Sequence, residues 1–204
     1  MKERPIIMGA ESVRAILEGR KTQTRRVVKD SFLFRFDYLP RFWGQDKYLK
    51  KRMLEEGPFQ VGDRLWVRET WAQCQDGRIL YKADPMFIGC EKGDFAWDWE
   101  SPMSMPRKAS RITLEITDIR IERVQDISEE DAIAEASVEY VHNKVKQMPE
   151  ETSADRIKKG LVSIYINIPR TCFGIAWNLL NAKRGYPFES NPWVWVIVFK
   201  VVSK

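Results

Sequence analysis

The sequence predicts an α+β protein: a small, mostly antiparallel β-barrel with helices packed at its openings, and two insertions. Three observations carry this. Helix-like stretches between strand-like ones are too few for a doubly wound parallel sheet. The clearest strand signals alternate apolar and polar residues, as strands with one buried face do. Two segments, about 31–60 and 143–162, lack clean periodicity and read as partly ordered insertions in one domain spanning residues 1–204. That length buries a substantial single core.

Ala10, Val13, Ile16 and Leu17 recur at helical spacing, and Gly19 stands where such a helix must turn off. Gly62-Asp63 is a turn before a strand over Arg64–Trp71, with Leu65, Val67 and Glu69 on one face and Trp66, Arg68 and Thr70 on the other. Asp76-Gly77 makes a hairpin into Ile79-Leu80-Tyr81. Residues 84–109 read as loop. Arg111–Val124 is the strongest strand signal, with a shift of apolar phase at Asp118 that predicts a bend. Ser128-Glu129-Glu130-Asp131 resembles a capping box, opening a helix through Ala132, Ile133 and Ala136 that sets Glu135 one turn past Asp131. Arg170–Asn181 is an amphipathic helix with Phe173, Trp177 and Leu180 on one face, stopped by Gly185 and Pro187. Trp193–Val202 is a closing strand.

Composition narrows the chemistry. Apolar residues are 44% and charged residues 31%, an ordinary globular balance. No apolar run approaches the ~18 residues of a membrane span, and Met1–Pro5 has no signal-peptide core. The expectation is a cytoplasmic protein with no membrane partner. Cys74, Cys90 and Cys172 are odd in number and far apart, which argues against a disulfide framework or a zinc site. His142 is the only histidine, in a polar stretch. Catalysis by a histidine-based pair or metal site is thereby disfavoured, and acid–base work falls to Lys, Glu, Asp, Tyr or Thr. No metal and no cofactor are expected. The net charge of +5 is compatible with a nucleic-acid partner without demanding one. The eight tryptophans include flat faces suited to stacking on bases, although most belong to core or rim packing.

The most informative segment is Gly19-Arg20-Lys21-Thr22-Gln23-Thr24-Arg25-Arg26. It sets basic side chains and hydroxyls where an ordered element gives way to a connection. If the chain is extended, Thr22, Thr24 and Arg26 share one face and Lys21 and Arg25 the other. Such a group suits a polar or anionic ligand, and a lysine near a hydroxyl also makes a base and a nucleophile. By itself the octapeptide reads first as a solvated basic turn.

Gly19-x-Lys21-x-x-Thr24-x-Arg26, then Gly62-Asp63, then Asp126–Ala132 with Glu135, then a terminal apolar strand, together resemble the ASCH domain family. Trp66–Trp71 and Met105–Arg111 look like the longer members found in phages and prophages. The resemblance covers the chain apart from the two insertions. It implies the PUA-like fold, a small β-barrel with flanking helices. It also implies one of two functions. Some small ASCH proteins are amidohydrolases that remove the acyl group from N4-acetylcytidine, and the matching catalytic set here is Thr24 as nucleophile, Lys21 as base and Glu135 as acid. Others are regarded as binding modules for RNA or a modified base. Ribonuclease activity ranks lower, because no histidine is available for the usual acid–base pair.

For the hydrolase, Lys21 must lose its proton well below the usual ~10.4, with Arg20, Arg25 and Arg26 as candidate cationic neighbours. A Lys21–Glu135 ion pair would oppose that. Arg26, Trp66, Glu69 and Tyr81 are candidate substrate contacts. Glu69, on the inner face of its strand, pairs with Arg26 or Arg111, or binds a base edge. Trp66, Trp71 and Tyr81 are stacking candidates, with core packing expected for at least two. Arg107, Lys108 and Arg111 are candidate phosphate contacts, or a solvated charge cluster. The partner is a modified nucleoside or RNA. The acyl group and the oligomeric state are not legible.

Overall fold

Alternation, turn glycines and caps settle most local structure. The computed structural model describes residues 1–36, 45–88, 98–135, 140–143 and 168–203. The strands are β1 (Glu3–Ile7), β2 (Gln23–Val27), β3 (Arg64–Arg68), β4 (Trp71–Gln73), β5 (Ile79–Tyr81), β6 (Thr113–Arg123) and β7 (Trp193–Ser203). The α-helices are α1 (Ala10–Leu17), α2 (Asp30–Leu33), α3 (Gln45–Glu56), α4 (Glu129–Ala134) and α5 (Pro169–Asn181). Hydrogen bonding orders five strands β1-β3-β6-β7-β2, with β4-β5 as a separate hairpin. Only β1–β3 is parallel among the pairs with a resolved register. The fold is therefore α+β with a mostly antiparallel sheet and helices beside it.

The contacts divide the chain into two compact units that interleave along the sequence. One comprises 1–22, 61–117 and 199–204, the other 23–60 and 118–198. In the first, α1 ends in a Schellman motif. Gly19 takes φ 77, its N–H donates to Ile16 O, and the Arg20 N–H donates to Ala15 O at 2.8 Å. The Lys21 N–H donates to Ala15 O as well, so the chain after the helix leaves in a fixed direction. Gly62, at φ 85, makes the turn before β3, and the buried Asp63 carboxylate accepts from the Lys2 N–H at 2.6 Å. Leu65 and Val67 are buried, as the alternation predicts, and so is Glu69, just beyond β3.

The strand expected over Arg64–Trp71 is in fact two. Glu69 and Thr70 interrupt it, and Trp71 begins the β4–β5 hairpin about Gly77. Trp71 packs with Met105, Ala109, Ile79 and Tyr81, which fulfils the core expectation for that tryptophan. β1 was not legible. Of Glu3–Ile7 only Ile6 is buried, so the segment carries no alternating signal and becomes a strand only against β3.

In the second unit, α4 begins where Ser128 Oγ accepts from the Asp131 N–H at 3.1 Å, and three acidic residues occupy its first turn. The core joins Val124, Ile127, Ala132, Phe173, Trp177, Val194 and Val196. Leu180, expected beside Phe173 and Trp177, is 53% exposed. The buried face of α5 instead runs through Cys172, Phe173, Ala176 and Trp177, because this short apolar stripe lies nearer the helix N-terminus.

Part of the 31–60 segment is more regular than its periodicity predicts. α3 is polar, braced by Lys51–Glu55 and Arg52–Glu56 pairs, and it buries Met53 completely. The 143–162 insertion lies outside the described residues apart from 143, as does Ala136. A Cβ on Gly57 would stand 2.3 Å from the Trp195 ring and 2.8 Å from Met53 O. Gly57→Ala should therefore cost about 1–3 kcal/mol, read from urea denaturation. An unchanged midpoint would contradict this packing.

Candidate functional site

β2 carries four polar side chains in succession, the first three buried and the fourth partly so. Gln23, Thr24 and Arg25 are 3%, 3% and 4% exposed, and Arg26 is partly buried. The strand starts at Gln23, so alternation governs Gln23 to Val27 and leaves Lys21 and Thr22 outside it. Gln23 and Arg25 share one face, Thr24 and Arg26 the other.

The Gln23 side chain donates to Asp131 O at 2.9 Å. Arg25 meets three carboxylates. Its Nη2 donates to Glu122 at 2.5 Å and to Asp131 at 2.7 Å, its Nε to Glu122 at 3.1 Å, and its Nη1 to Glu135 at 3.2 Å. Phe173 lies under the guanidinium, 5.5 Å from Cζ to the ring centroid. Burial works against the Arg25 cation, but Glu135, Glu122 and Asp131 outweigh it and hold its pKa above the ordinary value. Asp131 also accepts from Arg120 at 2.8 Å. Burial pulls its pKa up, yet Arg25 and Arg120 win and hold it below the usual range. For Arg26, burial dominates and lowers its pKa, opposed by Glu135 and reinforced by Arg184.

Of the residues expected to be catalytic, Thr24 and Glu135 belong to this second unit, and Lys21 to the first. Lys21 is 5% exposed and the Glu135 side chain 7%. Arg20, one expected cationic neighbour of Lys21, pairs with Glu18 at the surface. Arg25, another, is engaged by carboxylates.

The first unit holds a second charge cluster. Arg111 grips Glu69 in a bidentate pair at 3.0 and 3.1 Å and donates to Asp84 at 2.6 Å. Between the two partners left open for Glu69, the structure selects Arg111. Glu69 is 1% exposed. Burial holds its carboxyl above the ordinary range, against the pull of Arg111. Arg111 also lies 3.9 Å above the centroid of the Tyr81 ring, and the Tyr81 hydroxyl donates to Ala109 O, so this face of Tyr81 already carries a cation. Arg68 and Arg107 lie 4.9 and 5.9 Å from the Trp66 centroid. Arg107 and Lys108 are exposed, and Arg107 pairs with Glu3 at 2.8 Å.

The Arg25 hub and its partners Glu122 and Asp131 escaped the sequence reading, as did Asp84. One signal was available. Asp131 and Glu135 stand four apart on one helical face, where like charges repel unless a cation joins them. Among the described residues, no group of three or more His, Cys, Asp or Glu is placed to hold a metal ion, and no helix is long and apolar enough to cross a membrane.

No family model matches the chain, and no curated protein is similar to it. Three solved chains are, among them the following two. One is a protein from Enterococcus faecalis, of the DUF984 family. It is 12% identical with a TM-score of 0.41, over 100% of this chain and 77% of that one. The other is 14% identical with a TM-score of 0.39, over 100% of this chain and 81% of its own; it is an ASCH domain from Lactobacillus crispatus.

Proposed function

We propose that this protein is a metal-independent amidohydrolase that removes the acyl group from an N4-acylated cytidine or a related modified nucleoside. The observation that carries the reading is the burial of all three reactive side chains: Lys21 at 5%, Thr24 at 3% and the Glu135 side chain at 7%. Buried lysines and glutamates are rare unless paired, as Glu135 is with Arg25 at 3.2 Å, and clusters of buried ionisable groups are candidate functional sites.

In the proposed reaction Thr24 Oγ bonds the acyl carbon and its proton passes to Lys21. The bond from that carbon to N4 breaks as the amine takes a proton from Glu135. Arg25 donates to Glu135 at 3.2 Å and favours its charged form, the form left after the proton passes to the amine. Water then attacks the acyl ester, giving a proton to Glu135, while Lys21 returns its own to Thr24. The products are the acid and the free nucleoside, and both groups are reset. A second reading, RNA or modified-base binding without turnover, draws on exposed Lys108 and on exposed Arg107, which lies 5.9 Å from the centroid of the partly buried Trp66 ring.

Incubation of the purified protein with N4-acetylcytidine tests the hydrolase. The ultraviolet spectrum should move to that of cytidine, with one acetate released per turnover. Folded protein that leaves the spectrum unchanged and instead binds RNA, with affinity falling steeply as salt rises, would favour the second reading.

A further inference from the structure

We propose that α3 selects the form of the substrate: its exposed ridge of Lys47, Tyr48 and Lys51 binds a single nucleic-acid strand, so that the acylated cytidine is taken as a unit of a strand rather than as a free nucleoside. The chemistry rests on the hydrolase reading; the ridge stands on α3 and its seat on β7, both within the second unit.

The strand register fixes where α3 lies. Thr24 is opposite Ile197, and Arg26 is opposite Trp195. Directly paired residues share a face, as do alternate ones, so Trp193 and Trp195 stand on the Thr24 side of the sheet. α3 runs along that side. Gly57, just past its end, packs on the Trp195 ring, and Lys50 Nζ lies 5.4 Å from the Trp193 centroid. Met53, between the two in sequence, is fully buried. From Ile197 to Trp193 is four strand positions, about 13 Å. A nucleoside held at Thr24 does not reach that far, whereas a strand of roughly two to four nucleotides does.

The ridge has the chemistry that a strand requires. Lys47 stands four residues and Tyr48 three residues before Lys51, so all three are neighbours on one helical face. Tyr48 is 54% exposed, and both lysines are exposed. Like charges at that spacing repel. Glu55, the carboxylate set against Lys51, is 3.9 Å away with both side chains more than half exposed, so it offsets little. Arg123 adds a cation 4.1 Å from the Trp193 centroid. Lys47, Lys50 and Arg123 form no ion pair among the described residues. An open cleft of about 570 Å³ lies beside the helix, lined among the described residues by Lys47, Lys50, Lys51, Leu54 and Glu55. Phosphates suit the lysines, and a base stacks on the tyrosine. The exposed ring favours a strand with unpaired bases over an acidic polypeptide, which brings carboxylates but no flat face.

The test compares kcat/KM of the full-length protein on N4-acetylcytidine and on a short oligouridylate that carries one N4-acetylcytidine. The oligonucleotide should be favoured at low salt, and the ratio of the two constants should fall as salt rises. In the double variant Lys47→Glu, Lys51→Glu the ratio should fall about tenfold, and in Tyr48→Ala about five- to tenfold. All three side chains are exposed, so both variants should unfold as the wild type does. A ratio unchanged in the charge-reversed variant overturns the proposal, as does a wild type that favours the free nucleoside. Fluorescence anisotropy of a labelled, unmodified oligouridylate gives a readout that needs no turnover. If neither substrate is turned over, the hydrolase reading falls; binding lost in the charge-reversed variant then sustains the ridge, and equal binding overturns it. Displacement of the oligouridylate by polyglutamate as readily as by unlabelled RNA would assign the ridge to an acidic protein and overturn the proposal.

Discussion

Lys21→Ala and Thr24→Ala are each expected to lower turnover of N4-acetylcytidine by about three orders of magnitude, the scale on which a positioned base or nucleophile acts. The two side chains lie three positions apart on either side of the start of β2. Neither substitution adds bulk to a buried site, so thermal unfolding should remain cooperative in both variants. Thr24→Ser retains a hydroxyl and should recover much of the loss. A merely structural threonine would instead give parallel changes in stability and in apparent activity, with kcat per folded molecule preserved. Turnover at the wild-type rate in folded Lys21→Ala would end the proposed mechanism.

Arg111→Leu is expected to destabilise the protein by about 3–5 kcal/mol, because it leaves the Glu69 carboxylate buried and unpaired. Glu69 is 1% exposed, and Arg111 is its bidentate partner. Replacing both residues by leucine should cost less than removing Arg111 alone, since no charge then remains in the site. The pH dependence has a definite sign. Burial raises the Glu69 pKa above 4.5 in the folded protein, and Arg111 is the group that restrains it. The folded state therefore holds this proton more tightly than the unfolded chain does. The associated stability is complete below about 4.5 and is lost as pH rises through the folded value. Without Arg111 the folded pKa rises further, so the deficit of Arg111→Leu should narrow as pH falls from 7 toward 4. Urea denaturation at three pH values reads this directly. A deficit constant with pH would mean that Glu69 is not the group left unpaired.

The same two charge clusters mark the limit of what sequence reading reaches. Elements set by near neighbours were legible. Gly19 ends α1 because a backbone at positive φ favours glycine, and Ser128 caps α4 through an N–H three residues away. Asp76-Gly77 turns the β4–β5 hairpin, and the apolar phase of β6 shifts at Thr117 and Asp118, its two adjacent exposed residues. Each rests on a few residues whose conformational preferences agree. Glu69 was legible as an inward-facing acid, since alternation along β3 is local too, but its partner was left open between Arg26 and Arg111.

Tertiary structure decided the rest. β1 exists because it pairs with β3 some sixty residues on; its own sequence is charged at Glu3 and Arg4 and buries little. Leu180 faces outward because the stripe of α5 that meets the core lies a turn earlier. Arg25 was visible only as one basic residue among several. Its carboxylate partners lie 97, 106 and 110 residues away. A local pattern states which side chains must leave water, because backbone geometry and hydration act over a few residues. Which buried charge meets which is set only when distant segments pack, since Coulomb and hydrogen-bond energies depend on separation in space and not along the chain.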